Sequence, residues 1–306
     1  MTNSTKPIIN PYLAVLLGVL AASFSAIFTK LADAPALIIA FYRLAFTVLL
    51  LAPLAFATGR QELKHISGRD LLLAVLSGVL LAMHFATWVT SLNYTTVASS
   101  TVLVTMQPLF VIAGGYFLYK EKISRKGLAG AGLALTGSII IGINDFQVGG
   151  QALLGDLLAF AGAIFVAGYV LIGRSLRFRL SLFTYVTLVY SASAVTLMLC
   201  SLVMELPFYP YDGATWMWFL MLAVIPTIFG HTVFNWALRY VKAAVVSVSI
   251  LGEPVGATIL AYFIFGEVPT MLQLLGGAVI ITGLYIFITS TVEKPKATGS
   301  KERVVS

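Results

Sequence analysis

The sequence predicts an all-α integral membrane protein of ten transmembrane helices arranged as two inverted five-helix repeats. Three observations carry that prediction: long apolar runs, an internal repeat at a fixed offset, and positive charge confined to alternate loops. Of 306 residues, 59% are hydrophobic and only 10% charged, against about 25% charged in a soluble domain. A chain this apolar cannot cover a globular surface with polar groups, so its solvent is lipid. The net charge of +7 does not point to nucleic acid, because the cations sit in short loops between apolar runs.

A hydrocarbon core of about 30 Å takes about 20 helical residues to cross. By that rule the spans are 12–31, 36–57, 70–91, 97–119, 127–144, 153–173, 183–204, 215–236, 243–265 and 270–290. Runs such as Leu71 to Met83 lack the alternation of a membrane β-strand, which excludes a barrel. Residues 1–11 carry Lys6, Pro7 and Pro11 without a small-residue cleavage pattern, so the first run reads as a retained span rather than a signal peptide. The single cysteine, Cys200, excludes an internal disulfide and a cysteine metal cluster.

The repeat is seen by shifting Tyr94–Gly137 forward by 146 positions. Tyr94 then falls on Tyr240, Gln107-Pro108 on Glu253-Pro254, Glu121 on Glu267, Gly130 on Gly276, and Thr136-Gly137 on Thr282-Gly283. An ungapped match of this length is a duplication. It divides the chain into a first repeat (12–144), a polar joint at Asn144–Gln151, a second repeat (153–290) and a short charged tail (291–306). Five spans is an odd number, so the second repeat enters the membrane upside down relative to the first. Such inverted repeats characterise secondary carriers, with the substrate near the midplane.

Seventeen of the nineteen Lys and Arg residues fall at the termini or in alternate loops: Lys6; Arg60, Lys64, Arg69; Lys120, Lys122, Arg125, Lys126; Arg174, Arg177, Arg179; Arg239, Lys242; Lys294, Lys296, Lys301, Arg303. Only Lys30 lies in an opposite loop, and Arg43 is inside a span. This bias places both termini in the cytoplasm of a plasma-membrane protein.

The ten spans, the paired mid-helix Pro108 and Pro254, Gly266-Glu267 closing the ninth span, the Gly276-Gly277 to Thr282-Gly283 run and Tyr42-Arg43 in the second span together resemble the EamA-like branch of the drug/metabolite transporter superfamily. The first repeat departs in having Gln107 for Glu253 and Lys120-Glu121 for Gly266-Glu267. The resemblance implies secondary transport of a small metabolite, often amino-acid efflux, without naming the substrate.

Glu253 is the eleventh residue of its span. A carboxylate at that depth costs roughly 2.5–3.5 kcal/mol on insertion scales, so it calls for a proton, a partner or a hydrated cavity. Gln107 is its neutral counterpart, equally suited to a cavity or to joining helices. Pro108 and Pro254 each remove a helical donor, leaving the carbonyls of Val104 and Ile250 without an i+4 partner. Thr227, His231 and Asn235 recur every fourth residue and predict one polar stripe, as His84 and Trp88 predict one face of the third helix. These histidines read either as helix-packing groups or as cavity lining; their separation on two helices without further ligands speaks against a metal. Trp88, Tyr42, Tyr169 and Trp236 are candidate aromatic walls, whereas Trp216 and Trp218 read as an interfacial belt. Arg43 has three options: snorkelling outward, pairing with Glu253, or receiving a substrate carboxylate. Gly127, Gly130, Gly132 and Gly137, with Gly276, Gly277 and Gly283, predict a packing or dimer face.

The expected function is a carrier exporting an amino acid or related metabolite with no cofactor, proton-coupled through Glu253. The alternatives are uptake of a sugar or other metabolite, a channel, and an intramembrane enzyme. No charged ring or carbonyl filter supports a channel. An enzyme would want a nucleophile–base pair or paired carboxylates at depth. No phosphate-binding glycine loop is present for an ATP motor. The charge bias makes a direct prediction about orientation. Single cysteines in segments 58–69, 120–126 and 174–182, in a Cys200→Ala background, should resist an impermeant maleimide in intact cells, and ready labelling of two of the three segments would reverse the orientation.

Overall fold

The computed structural model describes residues 7–142 and 150–291; within the expected joint and tail, residues 143–149 and 292–306 lie outside it, as do residues 1–6 with Lys6. The described residues form helices α1 (Pro11–Leu31), α2 (Ala36–His65) and α3 (Gly68–Ser91), then a two-piece α4 (Val97–Val104 and Gln107–Tyr119) and α5 (Arg125–Gly142). They continue through α6 (Gly150–Leu176), α7 (Leu182–Val203), α8 (Gly213–Ala237), α9 (Ala243–Phe265) and α10 (Met271–Thr291). Nine of these are long and apolar enough to cross a membrane. The exception is α5, the expected span 127–144, which is rich in glycine and begins on Arg125 and Lys126.

Helix starts follow side-chain capping, which satisfies the amide N–H groups that have no partner in the first turn. Asn10 accepts from the Tyr12 N–H ahead of α1, Ser67 from Asp70 ahead of α3, Thr96 from Ser99 ahead of α4, and Asp212 from Thr215 ahead of α8. Helix α2 outruns the expected 36–57 because Thr58–His65 continues it as a polar extension beyond the apolar run.

The packing pairs map onto one another under the 146-residue offset, which turns each of α1–α5 into α6–α10. Helix α3 packs on α6 as α8 packs on α1; α3 on α7 as α8 on α2; and α4 on α6 as α9 on α1. The pairs α2–α7 and α5–α10 are their own counterparts.

The α5–α10 contact is a glycine seam. A Cβ on Gly137 would lie 2.6 Å from the Gly276 carbonyl oxygen, and one on Gly276 would lie 2.7 Å from that of Gly137. Gly130 and Gly283 meet in the same way, at 2.8 and 2.7 Å. Lipid tails are as apolar as leucine, so helices in a bilayer associate through close van der Waals contact that small residues permit. The expected glycine face is therefore a packing face within the chain at these positions, where α10 covers α5. Two glycines do not belong to it. Gly132, two residues and about 200° around from Gly130, has nothing within 4 Å, and Gly277 faces Val255 instead.

These distances are to backbone atoms, so no rotamer change relieves them. Gly276→Leu should destabilise the protein by roughly 1–3 kcal/mol, by analogy with overpacked cores. Gly132→Ala should be neutral or stabilising by up to about 1 kcal/mol, because it adds helix propensity in open space. Melting temperatures in detergent check both; equal effects at the two positions would refute the seam.

Candidate functional site

Helices α4 and α9 both break at mid-length. In α4 the break falls at Thr105-Met106, and Gln107 opens the second piece. In α9 a 3₁₀ turn, Ile250–Gly252, precedes the second piece, which Glu253 opens. The proline expectation needs correction here. Pro108 and Pro254 each stand in the first turn of a new helix, where a missing N–H costs nothing. The Ile250 carbonyl is not free: lacking an i+4 donor, it accepts the N–H of Glu253.

The two breaks face a cavity bounded by α1, α3, α4, α6, α8 and α9. It is lined by Gln107, Glu253, His84, Trp88, Tyr169, His231 and Asn235, with Ser25, Thr101, Phe85 and Ile250 among the remaining wall residues. Seven of the sequence-derived candidates thus meet around one space. Arg43 and Tyr42 do not line it.

Arg43 takes neither of the first two courses considered for it. It is only 1% exposed, so it does not snorkel, and it forms no ion pair with Glu253. Its Nε donates to Thr227 Oγ1 and its Nη1 to Ser25 Oγ, both at 2.7 Å, and its guanidinium lies 4.3 Å from the Phe85 ring centroid. One side chain therefore ties α2 to α1, α3 and α8. Its Nη2 is buried without a partner.

Tyr42 is rotated about 100° from Arg43 by the helix itself. It donates to the Phe208 carbonyl at 2.9 Å and packs on Trp216 and Phe219, outside the cavity. Trp236 likewise turns away from its neighbour Asn235, packing on Tyr240 at 4.8 Å. The aromatic walls are Trp88, Tyr169, Phe85 and Phe234 instead. Trp216 and Trp218 pack against Tyr42 and Phe28, joining α8 to α2 and α1.

The polar stripe on α8 is modified by a π-helical stretch, Ala223–Thr232, which contains Pro226. Thr227 reaches back five residues to the Leu222 carbonyl at 2.7 Å while holding Arg43. His231 enters the cavity edge-on to Phe85 and Phe234. Asn235 donates to Tyr169 at 2.5 Å and Tyr190 at 3.2 Å, and Tyr190 also meets Thr232. π-Helical turns inside α-helices concentrate at functional sites because they re-aim side chains.

On α3, His84 and Trp88 share a face as expected, with parallel rings 6.2 Å apart. His84 Nδ1 lies 3.0 Å from the Gly162 carbonyl. A carbonyl only accepts, so Nδ1 donates, and a neutral ring then presents Nε2 as an acceptor. Three further wall residues have buried polar atoms with no partner: the Trp88 Nε1–H, the Thr101 hydroxyl and the Gln107 Oε1. Buried polar groups are ordinarily satisfied, so orphans grouped on one cavity mark where a polar ligand or water docks. Thr101 escaped the sequence reading; its partner under the offset is Ser247, also polar, also buried and also unpartnered. That shared polarity was the available signal.

A second cavity adjoins the first through Ala26, Thr101 and Ala257. Its other walls include Lys30, Thr96, Glu267, Thr270 and Gln273.

The EamA-like transporter family profile matches residues 9–143 and again 153–289. An uncharacterized transporter of Archaeoglobus fulgidus is 26% identical over 279 residues, covering 89% of this chain and 94% of its own. A probable amino-acid metabolite efflux pump of Salmonella typhimurium is 28% identical over 199 residues, covering 61% of this chain and 66% of its own. A solved crystal structure superposes with a TM-score of 0.75 over 93% of this chain and 99% of that one, at 18% identity, a likeness of fold. With both halves of its length matched by one profile, the chain belongs to the EamA-like transporter family.

Proposed function

We propose that the protein is a secondary transporter that exports a small amphipathic metabolite, an amino acid or close relative, across the plasma membrane in exchange for protons. Segments 12–144 and 153–290 are its two inverted halves, and both termini face the cytoplasm. The Salmonella efflux pump supports the substrate class, and the one-sided Lys and Arg distribution supports the orientation. Glu253 has Gln107 opposite it rather than a second carboxylate, which favours carriage over paired-carboxylate chemistry.

The observation that carries the proposal is the pairing of the two helix breaks on one cavity. Each break aims the amino end of a 13-residue half-helix inward, and such ends attract anionic groups. The Glu253 carboxylate and the unpartnered Gln107 oxygen suit an ammonium group. The Trp88 N–H and the half-helix amides suit a carboxylate. Phe85, Val166 and Phe234 supply an apolar surface for a side chain. Of the two break residues only Glu253 can change charge, so it is the group that carries a coupling proton or orients the amine.

Glu253→Gln keeps the shape of the site and removes the charge. In proteoliposomes the variant should lose pH-gradient-driven accumulation by at least about tenfold, a change of about 1.4 kcal/mol. Counterflow, which needs binding and alternation but no proton gradient, should persist. Accumulation at the parental level would reduce Glu253 to a helix-packing group.

A further inference from the structure

The far ends of α4 and α9, one toward each mouth of the carrier, bear equivalent glutamates in different states. At the end of α4, Lys120 adopts a left-handed conformation (φ 55°), as Gly266 does at the end of α9 (φ 69°). In both caps the next amide returns to the helix: Glu121 N–H to the Gly115 carbonyl at 3.0 Å, and Glu267 N–H to the Ala261 carbonyl at 3.4 Å. The two glutamates therefore leave their helices by the same geometry. Each has a cation in the last turn of the helix its own packs against, Arg174 on α6 and Lys30 on α1.

At the first mouth the pair is made. Glu121 Oε1 lies 3.0 Å from Arg174 Nε, with the side chains 9% and 15% exposed. Arg174 also donates to the Leu238 carbonyl of α8, and Tyr119 donates to the Leu171 carbonyl at 2.6 Å. This seals α4 to α6. At the second mouth Glu267 and Lys30 are exposed, both line the second cavity, and no ion pair joins them. Equivalent glutamates are thus latched at one end and unpaired at the other, each beside a cation that ends a neighbouring helix, although under the offset Arg174 falls on Phe28 and Lys30 on Leu176.

We infer that Lys30 and Glu267 form the second gate of the carrier, pairing across the open mouth when the Glu121–Arg174 pair parts. The two latches exclude each other, because a cavity open at both ends would leak and one closed at both ends exchanges nothing. The inference rests on the transport reading for its purpose, but its test reads gate position without substrate and so can fail separately.

The reporter is a single cysteine at Thr258, a wall of the second cavity, in a Cys200→Ala background. Its rate of reaction with fluorescein maleimide is followed in detergent on protein that elutes as the parent does. Glu121→Gln should slow labelling by at least about fivefold, because the released latch is largely buried and so exceeds an exposed ion pair in strength. Glu267→Lys, which sets two like charges across the open mouth, should speed it. Adding Lys30→Glu to Glu267→Lys should restore the parental rate, a rescue that a merely structural role would not give. A second measurement stands if Glu121→Gln does not fold: Lys30→Cys with Glu267→Cys in the Cys200→Ala background should form a disulfide under mild oxidation. Labelling insensitive to Glu267→Lys, failure of the exchanged pair to restore the rate, or absence of the disulfide would each overturn the second gate.

Discussion

Hydrocarbon offers no hydrogen bonds, and the burial of Arg43 is where this chain meets that constraint most severely. A guanidinium inside a span costs roughly 2.5–3.5 kcal/mol even on the mildest scales. It lies about 10 Å along α2 from Ala36, too far inside the bundle to reach water. The fold answers with two hydroxyls and an aromatic face drawn from three other helices. Because those partners flank the cavity, the charge that must be satisfied also fixes the walls: Ser25 and Phe85 line the cavity and touch Arg43 at once. Thr227, the third partner, sits in the π-helical stretch of α8, whose widened turn delivers His231 and Asn235 to the same space.

The same constraint explains where the backbone is irregular. Breaks in α4 and α9 and the π-helical stretch in α8 all occur at the cavity, where protein or water can satisfy freed backbone groups. The seam between α5 and α10 has no break among the described residues; it relies on carbonyls packed against glycines. Rigid packing and irregular backbone are thus segregated onto different helices. That division suits a carrier in which the broken helices change their contacts while the seam holds.

Much of this was legible in the sequence because it repeats. The spans follow from apolar run length, and the glycine seam from glycines recurring at the same offset. The paired breaks follow from Gln107-Pro108 and Glu253-Pro254. What was not legible depends on helix rotation and on partners distant in sequence. Tyr42 and Trp236 are aromatic and lie within expected spans, yet each sits one residue from an inward-facing neighbour and so points elsewhere. Arg43 could have snorkelled or paired with Glu253 until Ser25 and Thr227 were placed beside it. The π-helical stretch has no sequence signature beyond Pro226, and its Thr227 meets Arg43, a partner distant in sequence.

The central claim is that the space around Glu253 and Gln107 is the path a small metabolite takes. Blocking that space with a reporter-sized group tests it most directly. A single cysteine at Ala257, on the wall shared by the two cavities, would be placed in a Cys200→Ala background and modified to completion with a bulky maleimide. Counterflow of labelled amino acids would then be measured in proteoliposomes before and after modification. The account predicts saturable counterflow that modification abolishes. Counterflow that survives complete modification at Ala257 would contradict it, because the substrate would then be passing by another route.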